Sequence, residues 1–394
     1  MEESSFPLRA LLAGARRKQS QLLDLTTRLV LAESPTDNKD AIDACQDLAF
    51  AHALNLTGPT GVRVKRHRQR HYGDILELRF GPKKAAKKIL LLGHLDTVWP
   101  LGTLKTMPCK QRDGRLYGPG TLDMKAGVAM AFTAIELLLE SNALGTKTGN
   151  EIIILLNSEE EIGSPISRPI TEKLATECDA VYVLEPAQGL AYKTARKGTG
   201  YWRITAHGTA AHAGVDFIRG RSAILELARQ IEKVSAWTDL QKGITLNAGV
   251  IGGGTKSNVV PAEAWAEIDL RIAKRAQGPS LKKRFAALKP TAKSGVTLTV
   301  EGSINRPPME RTRGTVKLFR QAQSLAAQLG KDFLCNLEEA STGGASDGNF
   351  TSAVGIPTLD GMGAVGEGAH ATHESIMIEH LAPRTALLAA MLAN

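Results

Sequence analysis

Four cysteines occur in 394 residues, and none form a C-x-x-C pair. Cys45, Cys109, Cys178 and Cys335 are scattered, which excludes a disulfide framework and predicts free thiols in a reducing compartment. Aromatic residues make up 5% of the chain and do not interleave with its arginines. The stacking platform of a single-strand nucleic-acid binder is therefore missing. No apolar run approaches the ~18 residues of a membrane span. The N-terminus, MEESSFPLRALLAGARRKQ, begins acidic, and its short apolar stretch precedes the arginine pair instead of following it. A signal peptide has the opposite order, so a soluble, cytoplasmic chain is expected, with neither membrane nor nucleic acid as partner. Low-complexity tracts and internal repeats are also lacking.

What is present is a globular composition, 43% hydrophobic and 23% charged, able to bury a large core. The formal net charge is +9. RVKRHRQRH (Arg63 to His71) and KKAAKK (Lys83 to Lys88) flank the strand-like DILELRF and read as a solvated basic edge. Such a surface also draws in acidic substrates.

The first half alternates helix and strand. LLDLTTRLVLAES and AIDACQDLAFAHAL have helical spacing, KILLLGH and EIIILLN are buried strands, and AVYVLEP is a third. DMKAGVAMAFTAIELLLE (Asp123 to Glu140) reads as a helix with a charged first turn. This pattern predicts a doubly wound α/β sheet. From about Lys197 to Arg306 the pattern becomes βαββαβ, that of a small ferredoxin-like antiparallel sheet with two helices on one face. GTVKLFRQAQSLAAQLG and VGIPTLDGMG then return to helix and strand. The expectation is a discontinuous catalytic domain, 1–196 and 307–394, with an inserted lid and dimerisation domain, 197–306.

Acids and histidines cluster just past the strand ends: His94 and Asp96 in GHLDT, Asp123 in YGPGTLDMKAG, Glu159 to Glu161 in NSEEEIGS, Glu185 in LEP, His370 and His373 in GEGAHATHES. Carboxyl ends of strands are where open α/β sheets bind ligands. Carboxylates converging with imidazoles suit a divalent transition metal. Each cluster alone also has a structural reading. Asp123 serves equally as a helix N-cap, Glu185 before Pro186 as a strand terminus, and His370 as an exposed loop residue.

Taken in order, these motifs resemble the di-zinc metallopeptidase family of glutamate carboxypeptidase, acetylornithine deacetylase, succinyl-diaminopimelate desuccinylase and aminoacylase. GHLDTVWPLGTL, YGPGTLDMKAG, NSEEEIGS, LEP, HAG, SNVVPAEAWAEIDLR, GGASDGNF and GAHATHES fall in the family's order over nearly the whole chain. DTVWPLGTL followed by RLYGPG is most similar to the glutamate carboxypeptidase branch. The resemblance implies two zinc ions per chain, with cobalt or manganese as substitutes. It implies Asp123 as the bridging carboxylate, Glu161 and His370 completing one site, and His94 and Glu185 the other. Asp96 would accept the proton on the far nitrogen of His94, and the Asp123–Met124 peptide would be cis. His207 and His373 fall outside the pattern.

The resemblance further places Glu160 as general base and Glu161 as ligand, leaving Glu159 spare. Successive strand residues point to opposite faces, so three adjacent glutamates would not share one role. His212 would donate to the oxyanion, reaching the partner subunit's site in a lid-domain homodimer whose edge strand is TGYWRITAHG. Arg271 and Asn258 would hold the substrate's terminal carboxylate and scissile carbonyl, and Lys193 a second carboxylate. The implied activity is zinc-dependent release of a C-terminal amino acid, preferably glutamate, from N-acyl or peptidyl substrates such as folates. An N-acyl-amino-acid or acylornithine deacylase on the same scaffold is the alternative, and a non-catalytic metal-binding scaffold a remote one.

Overall fold

The computed structural model describes residues 8–57, 61–144, 149–329 and 336–394. Cys335 and the first seven residues, which enter the thiol and leader readings, lie outside the described residues. Cys45, Cys109 and Cys178 are free. Among the described residues no helix is long and apolar enough to cross a membrane. Two compact units form: one runs up to Ala195 and takes in Arg311–Thr342 and Ser346–Asn394, and the other is Arg196–Glu310 with Gly343–Ala345.

The first unit is built on a six-stranded sheet in the order Val62–His67, Ile75–Phe80, Glu151–Asn157, Lys88–His94, Ala180–Val183, Thr358–Leu359. Its first two pairings are antiparallel and the other three parallel, so the sheet is mixed. KILLLGH and EIIILLN are apolar at successive positions because both faces are covered. Leu91, Ile154 and Tyr182 join one core cluster with the helices Leu8–Leu31, Ala126–Glu140 and Leu381–Ala393. Leu90, Leu92, Ile153, Leu155 and Val181 join another with Leu174 and Ala175 of the helix Arg168–Thr176. The helix Leu381–Ala393 carries no amphipathic period to read, because it is buried on all sides. His94 lies opposite Asn157 in the parallel register, so the two strands end in step and deliver the residues after them to one edge.

The basic stretch forms the outermost strand, Val62–His67, and the residues after it, and three of its arginines are paired: Arg63 to Glu151 (2.5 Å), Arg68 to Asp74 (2.7 Å), and Arg66 to Asp47.

The second unit is a four-stranded antiparallel sheet in the order Thr245–Gly253, Glu263–Ile272, Gly198–His207, Thr297–Arg306, with the helices Ala223–Ser235 and Gln277–Ala286. Its chain order is βαββαβ. In EAWAEIDLRI, Ala264, Ala266, Ile268, Leu270 and Ile272 are buried and their alternates are not. Trp202 stacks on Phe285 at 4.3 Å between ring centroids, and Trp237 meets Phe285 edge-on at 5.1 Å. One expectation is corrected here. TGYWRITAHG is not an edge strand, because Gly198–His207 is paired on both sides. Period-two alternation reports one wet face of a sheet, not an open edge. The edges are Thr245–Gly253 and Thr297–Arg306.

Candidate metal centre

Five segments of the first unit converge at the carboxyl edge of its sheet. His94 is the last residue of its strand, and Glu160 and Glu161 open a 3-10 turn three residues past Asn157. Glu185 stands two residues past Val183. Asp123 lies in the turn Thr121–Lys125, with non-helical dihedrals and a cis peptide to Met124, so it precedes the helix Ala126–Glu140 instead of opening it. His370 comes from a later loop, at φ +62°. The two oxygens of Asp123 face two different imidazoles: Oδ1 is 3.4 Å from His94 Nε2, and Oδ2 is 3.2 Å from His370 Nε2. Glu161 Oε2 lies 3.2 Å from the same His370 nitrogen, and Glu185 Oε1 lies 3.6 Å from His94 Nε2.

The donors of this cluster are left short of hydrogen. His94 Nε2, Asp123 Oδ1 and Glu161 Oε1 are buried atoms without a hydrogen-bond partner. Two overlapping sets of ligand atoms, from His94, Asp123 and Glu161 and from His94, Glu160 and Glu185, each lie within 4.8 Å of one another. Buried carboxylates so placed require compensating charge. The histidines supply it without a cation. Burial pushes His94 down, but Asp123, Asp96 and Glu185 outweigh it and hold the ring well above its ordinary value. Hydrogen bonds to Asp123 and Glu161 push His370 up to about 10. Burial raises Glu161, whereas Asp123, with both imidazoles against it, is held below the usual carboxylate range despite burial. The nitrogen and oxygen donor set fits a pair of zinc-like ions.

A titration prediction arises from His370. A metal needs its neutral imidazole, while the cation-free ring keeps its proton up to about pH 10. If His370 is a ligand, metal binding below that pH would displace this proton, and apparent affinity would rise with pH by about a factor of ten per unit from this group alone. Calorimetry in buffers of different ionisation enthalpy should register proton release at pH 7.5. Uptake, or no transfer at all, would remove His370 from the ligand set.

Further carboxylates set the cluster's shape. His94 Nδ1 lies 2.9 Å from the main-chain oxygen of Asp96 and 3.3 Å from its Oδ1, so the fixing contact is shared with backbone. The Asp96 carboxylate also accepts from the main-chain N–H groups of Glu160 and Glu161, each at 3.2 Å, and from Thr36 Oγ1 at 2.8 Å. It thereby ties the histidine strand to the glutamate turn. Glu159 is not spare. It is fully buried and accepts from Ile166 N (3.1 Å), Ser167 N (2.5 Å) and Ser158 Oγ (3.1 Å), which shapes the loop after the turn. Strand alternation does not apply to these glutamates, because the strand ends at Asn157. Sequence reasoning missed Glu374. It is fully buried and accepts from the N–H groups of Gly120 (2.9 Å), Leu122 (2.8 Å) and Asp123 (3.0 Å) and from Trp99 Nε1 (2.9 Å). It stands four residues past His370, so it ties that loop to the Asp123 turn. A carboxylate among glycine-rich loops was the available signal.

In the second unit, His212 and Asn258 are neighbours. The short strands Ala211–His212 and Val259–Val260 pair, with His212 opposite Val259, and Ala213 N donates to Asn258 O at 2.9 Å. His212 Nδ1 accepts from Gly214 N and Val215 N, both at 3.2 Å. The ring proton is thereby placed on Nε2, as a donor on an exposed side chain. Arg271 is less free than expected, since Nε and Nη2 grip Asp269 Oδ1 and Oδ2 at 2.8 and 2.9 Å. The end edge of the guanidinium, Nη1 with Nη2, retains donors, one of them 3.5 Å from Gly343 O. Lys193 lies in the first unit, on the strand Tyr192–Arg196, and is buried with 7% exposure.

A mixed α/β sheet with imidazoles and carboxylates converging past its strand ends is an arrangement suited to metal-dependent hydrolysis. The chain belongs to Peptidase family M20/M25/M40, whose sequence pattern matches residues 90–394. It is 27% identical over 389 residues to carboxypeptidase G2 of Pseudomonas sp. strain RS-16, covering 97% of this chain and 91% of that one. It is 26% identical over 389 residues to a succinyl-diaminopimelate desuccinylase of Delftia acidovorans, covering 92% and 95%. The crystal structure of aminopeptidase PepT from Bacillus cereus superposes with a TM-score of 0.77 at 25% identity, covering 95% and 98%.

Proposed function

We propose that this hydrolase cleaves an amide bond to release a C-terminal amino acid, preferably glutamate, from N-acyl or peptidyl substrates. The observation that carries the reading is Asp123, whose two oxygens face His94 and His370 while Glu160 shares a ligand cluster with His94 and Glu185. Asp123 would bridge two zinc ions, with His94 and Glu185 completing one site and Glu161 and His370 the other. Bound there, such ions acidify water and polarise a carbonyl oxygen. Glu160, in the turn held by Asp96, would take the proton of the attacking water and pass it to the departing amine. His212 would donate from Nε2 to the developing oxyanion. Arg271 would hold the leaving residue's carboxylate by its end edge, Asn258 the scissile carbonyl, and Lys193 a second carboxylate.

Asp269 occupies one edge of Arg271 and so weakens its grip on a substrate carboxylate, which favours a second reading. In that reading the chain is an N-acyl-amino-acid or acylornithine deacylase, selective mainly for the acyl side. A panel of N-acyl amino acids with zinc, the acyl group held constant and the C-terminal residue varied, separates the two. Glutamate released fastest supports the carboxypeptidase, whereas indifference to that residue supports the deacylase. No cleavage of any member would refute both.

We infer that the second unit is the lid and dimerisation domain. Its open edge strand Thr245–Gly253 carries exposed Val250 and Ile251, and the helix Ala223–Ser235 adds exposed Ile224 and Leu225. Such an edge beside an apolar helix face suits pairing with its own copy about a twofold axis. Ile251→Arg should shift sedimentation to a monomer and, because His212 would act in the partner subunit's site, lower turnover at least ~100-fold. A fully active monomer would end the trans role of His212.

A further inference from the structure

Asp96 holds His94 and the glutamate turn, and Glu374 ties the Asp123 turn to the His370 loop. Glu185 is held from another side. It stands past the end of the strand Ala180–Val183, where the parallel pairing with Thr358–Leu359 continues as separate main-chain bonds. Met362 N donates to Val183 O (3.0 Å), Gly363 N to Glu185 O (3.0 Å), and Ala187 N to Ala364 O (2.9 Å). The 361–364 segment is therefore the neighbour that fixes the Glu185 backbone. It lies this close because position 363 is glycine: a Cβ there would meet Leu184 O at 2.1 Å and Glu185 O at 2.9 Å. Gly361 enters the segment at φ +71°, a left-handed conformation that glycine adopts without strain.

That segment is fastened in turn by Arg384, on the helix Leu381–Ala393. The side chain is fully buried. Its Nε donates to Gly363 O (2.8 Å), Nη2 to Gly361 O (2.6 Å) and Nη1 to Leu190 O (3.1 Å). The guanidinium lies over the Tyr192 ring, 4.6 Å from its centroid. Among the described residues no carboxylate pairs with it, so carbonyl dipoles and a ring face meet its charge. Burying a cation on such terms is costly, and an apolar side chain of that size would pack the helix more cheaply. The guanidinium gives something an apolar group does not: a planar fork of donors that reaches three carbonyls at once. Gly363 links the two ends. Its carbonyl accepts from Arg384 while its N–H donates to Glu185.

We propose that Arg384 is the positioning residue for Glu185, acting through Gly363 to keep Glu185 Oε1 facing His94 Nε2, 3.6 Å away. The inference rests on the reading of Glu185 as a metal ligand and adds the group that orients it.

The test is a double-mutant cycle read as zinc affinity, by competition with a chromogenic chelator. It compares the parent protein, Arg384→Lys, Glu185→Gln and the double variant. Arg384→Lys keeps a cation but loses the fork, and should weaken one zinc ion about 10- to 100-fold, the range for losing a group that orients a ligand. Glu185→Gln should weaken the same ion. Added to Glu185→Gln, Arg384→Lys should change affinity little, because the carboxylate it acts through is already gone. Gly363→Ala pushes the segment off Glu185 and should repeat the pattern; it carries the cycle where Arg384→Lys does not fold. Leu388→Ala, one turn along the same helix and also fully buried, should lower the denaturation midpoint and leave zinc affinity as it was. Parent-like zinc binding by both Arg384→Lys and Gly363→Ala, or equal weakening with and without Glu185, makes Arg384 a core residue only and overturns the inference while the metal reading stands. A loss of affinity in Leu388→Ala as large as in Arg384→Lys overturns it as well. Parent-like zinc binding by Glu185→Gln removes Glu185 from the ligand set, and the inference goes with that reading.

Discussion

Glu160→Gln is expected to lower turnover at least ~100-fold, the lower range for losing a general base, with metal content and substrate affinity unchanged. The substitution keeps the shape of the side chain and removes only its capacity to accept a proton. Its main-chain N–H continues to donate to Asp96, so the turn keeps its form. The neighbours should behave differently. Glu161→Gln weakens metal binding, because Glu161 faces His370 at 3.2 Å and would be a ligand. Glu159→Gln damages folding instead. Its amide would set N–H groups against the N–H donors of Ile166 or Ser167, and a buried mismatch of this kind costs about 1–3 kcal/mol. Rates, metal content and denaturation midpoints of the three variants separate base, ligand and structural acid. A Glu159→Gln protein that folds normally, keeps its metals and loses turnover would move the base one residue back.

Glu374→Gln is expected to lower metal affinity about 10- to 100-fold, the range for losing a group that orients a ligand. The carboxylate receives three main-chain N–H groups of the turn that presents Asp123, and the indole of Trp99 besides. Burial raises the Glu374 carboxyl, while the Asp123, Gly120 and Trp99 donors pull against that shift. An amide has one oxygen to offer and would turn its own N–H groups toward this donor array. Glu374→Ala removes the acceptor altogether and should be worse for both metal affinity and stability. A competition titration with a chromogenic chelator reads the affinity directly, apart from any rate. Metal binding as tight as in the parent protein, with the variant folded, would reduce Glu374 to a loop fastener.

The sheet was legible in the sequence because burial on both faces leaves continuous apolar strands such as KILLLGH and EIIILLN, and their ends locate the chemistry. The βαββαβ order of the second unit was legible from alternation in EAWAEIDLRI and from the amphipathic helix Ala223–Ser235. Which strand lies at an edge was not, since alternation reports faces and not neighbours. Leu381–Ala393 escaped for the opposite reason: a helix buried all round has no polar face to mark its period. At the candidate metal centre, motif order named His94, Asp123, Glu160, Glu161, Glu185 and His370, and the fold brings all six together. The supporting carboxylates were hidden because their partners are main-chain N–H groups, which every residue but proline carries and no motif records. Glu159, Glu374 and much of the work of Asp96 fall in this class. The grip of Asp269 on Arg271 depends on two side chains sharing one sheet face, two residues apart, which a strand assignment allows but does not require.

The central claim is that Asp123 bridges two metal ions, and metal stoichiometry tests it most directly. Protein loaded with zinc, freed of excess ion and measured by elemental analysis against amino-acid content should hold close to two ions per chain. Asp123→Asn should lose both together, with the fold retained by circular dichroism. A reproducible single ion in the parent protein, or an Asp123→Asn variant that still holds two, would contradict the bridge and the mechanism built on it.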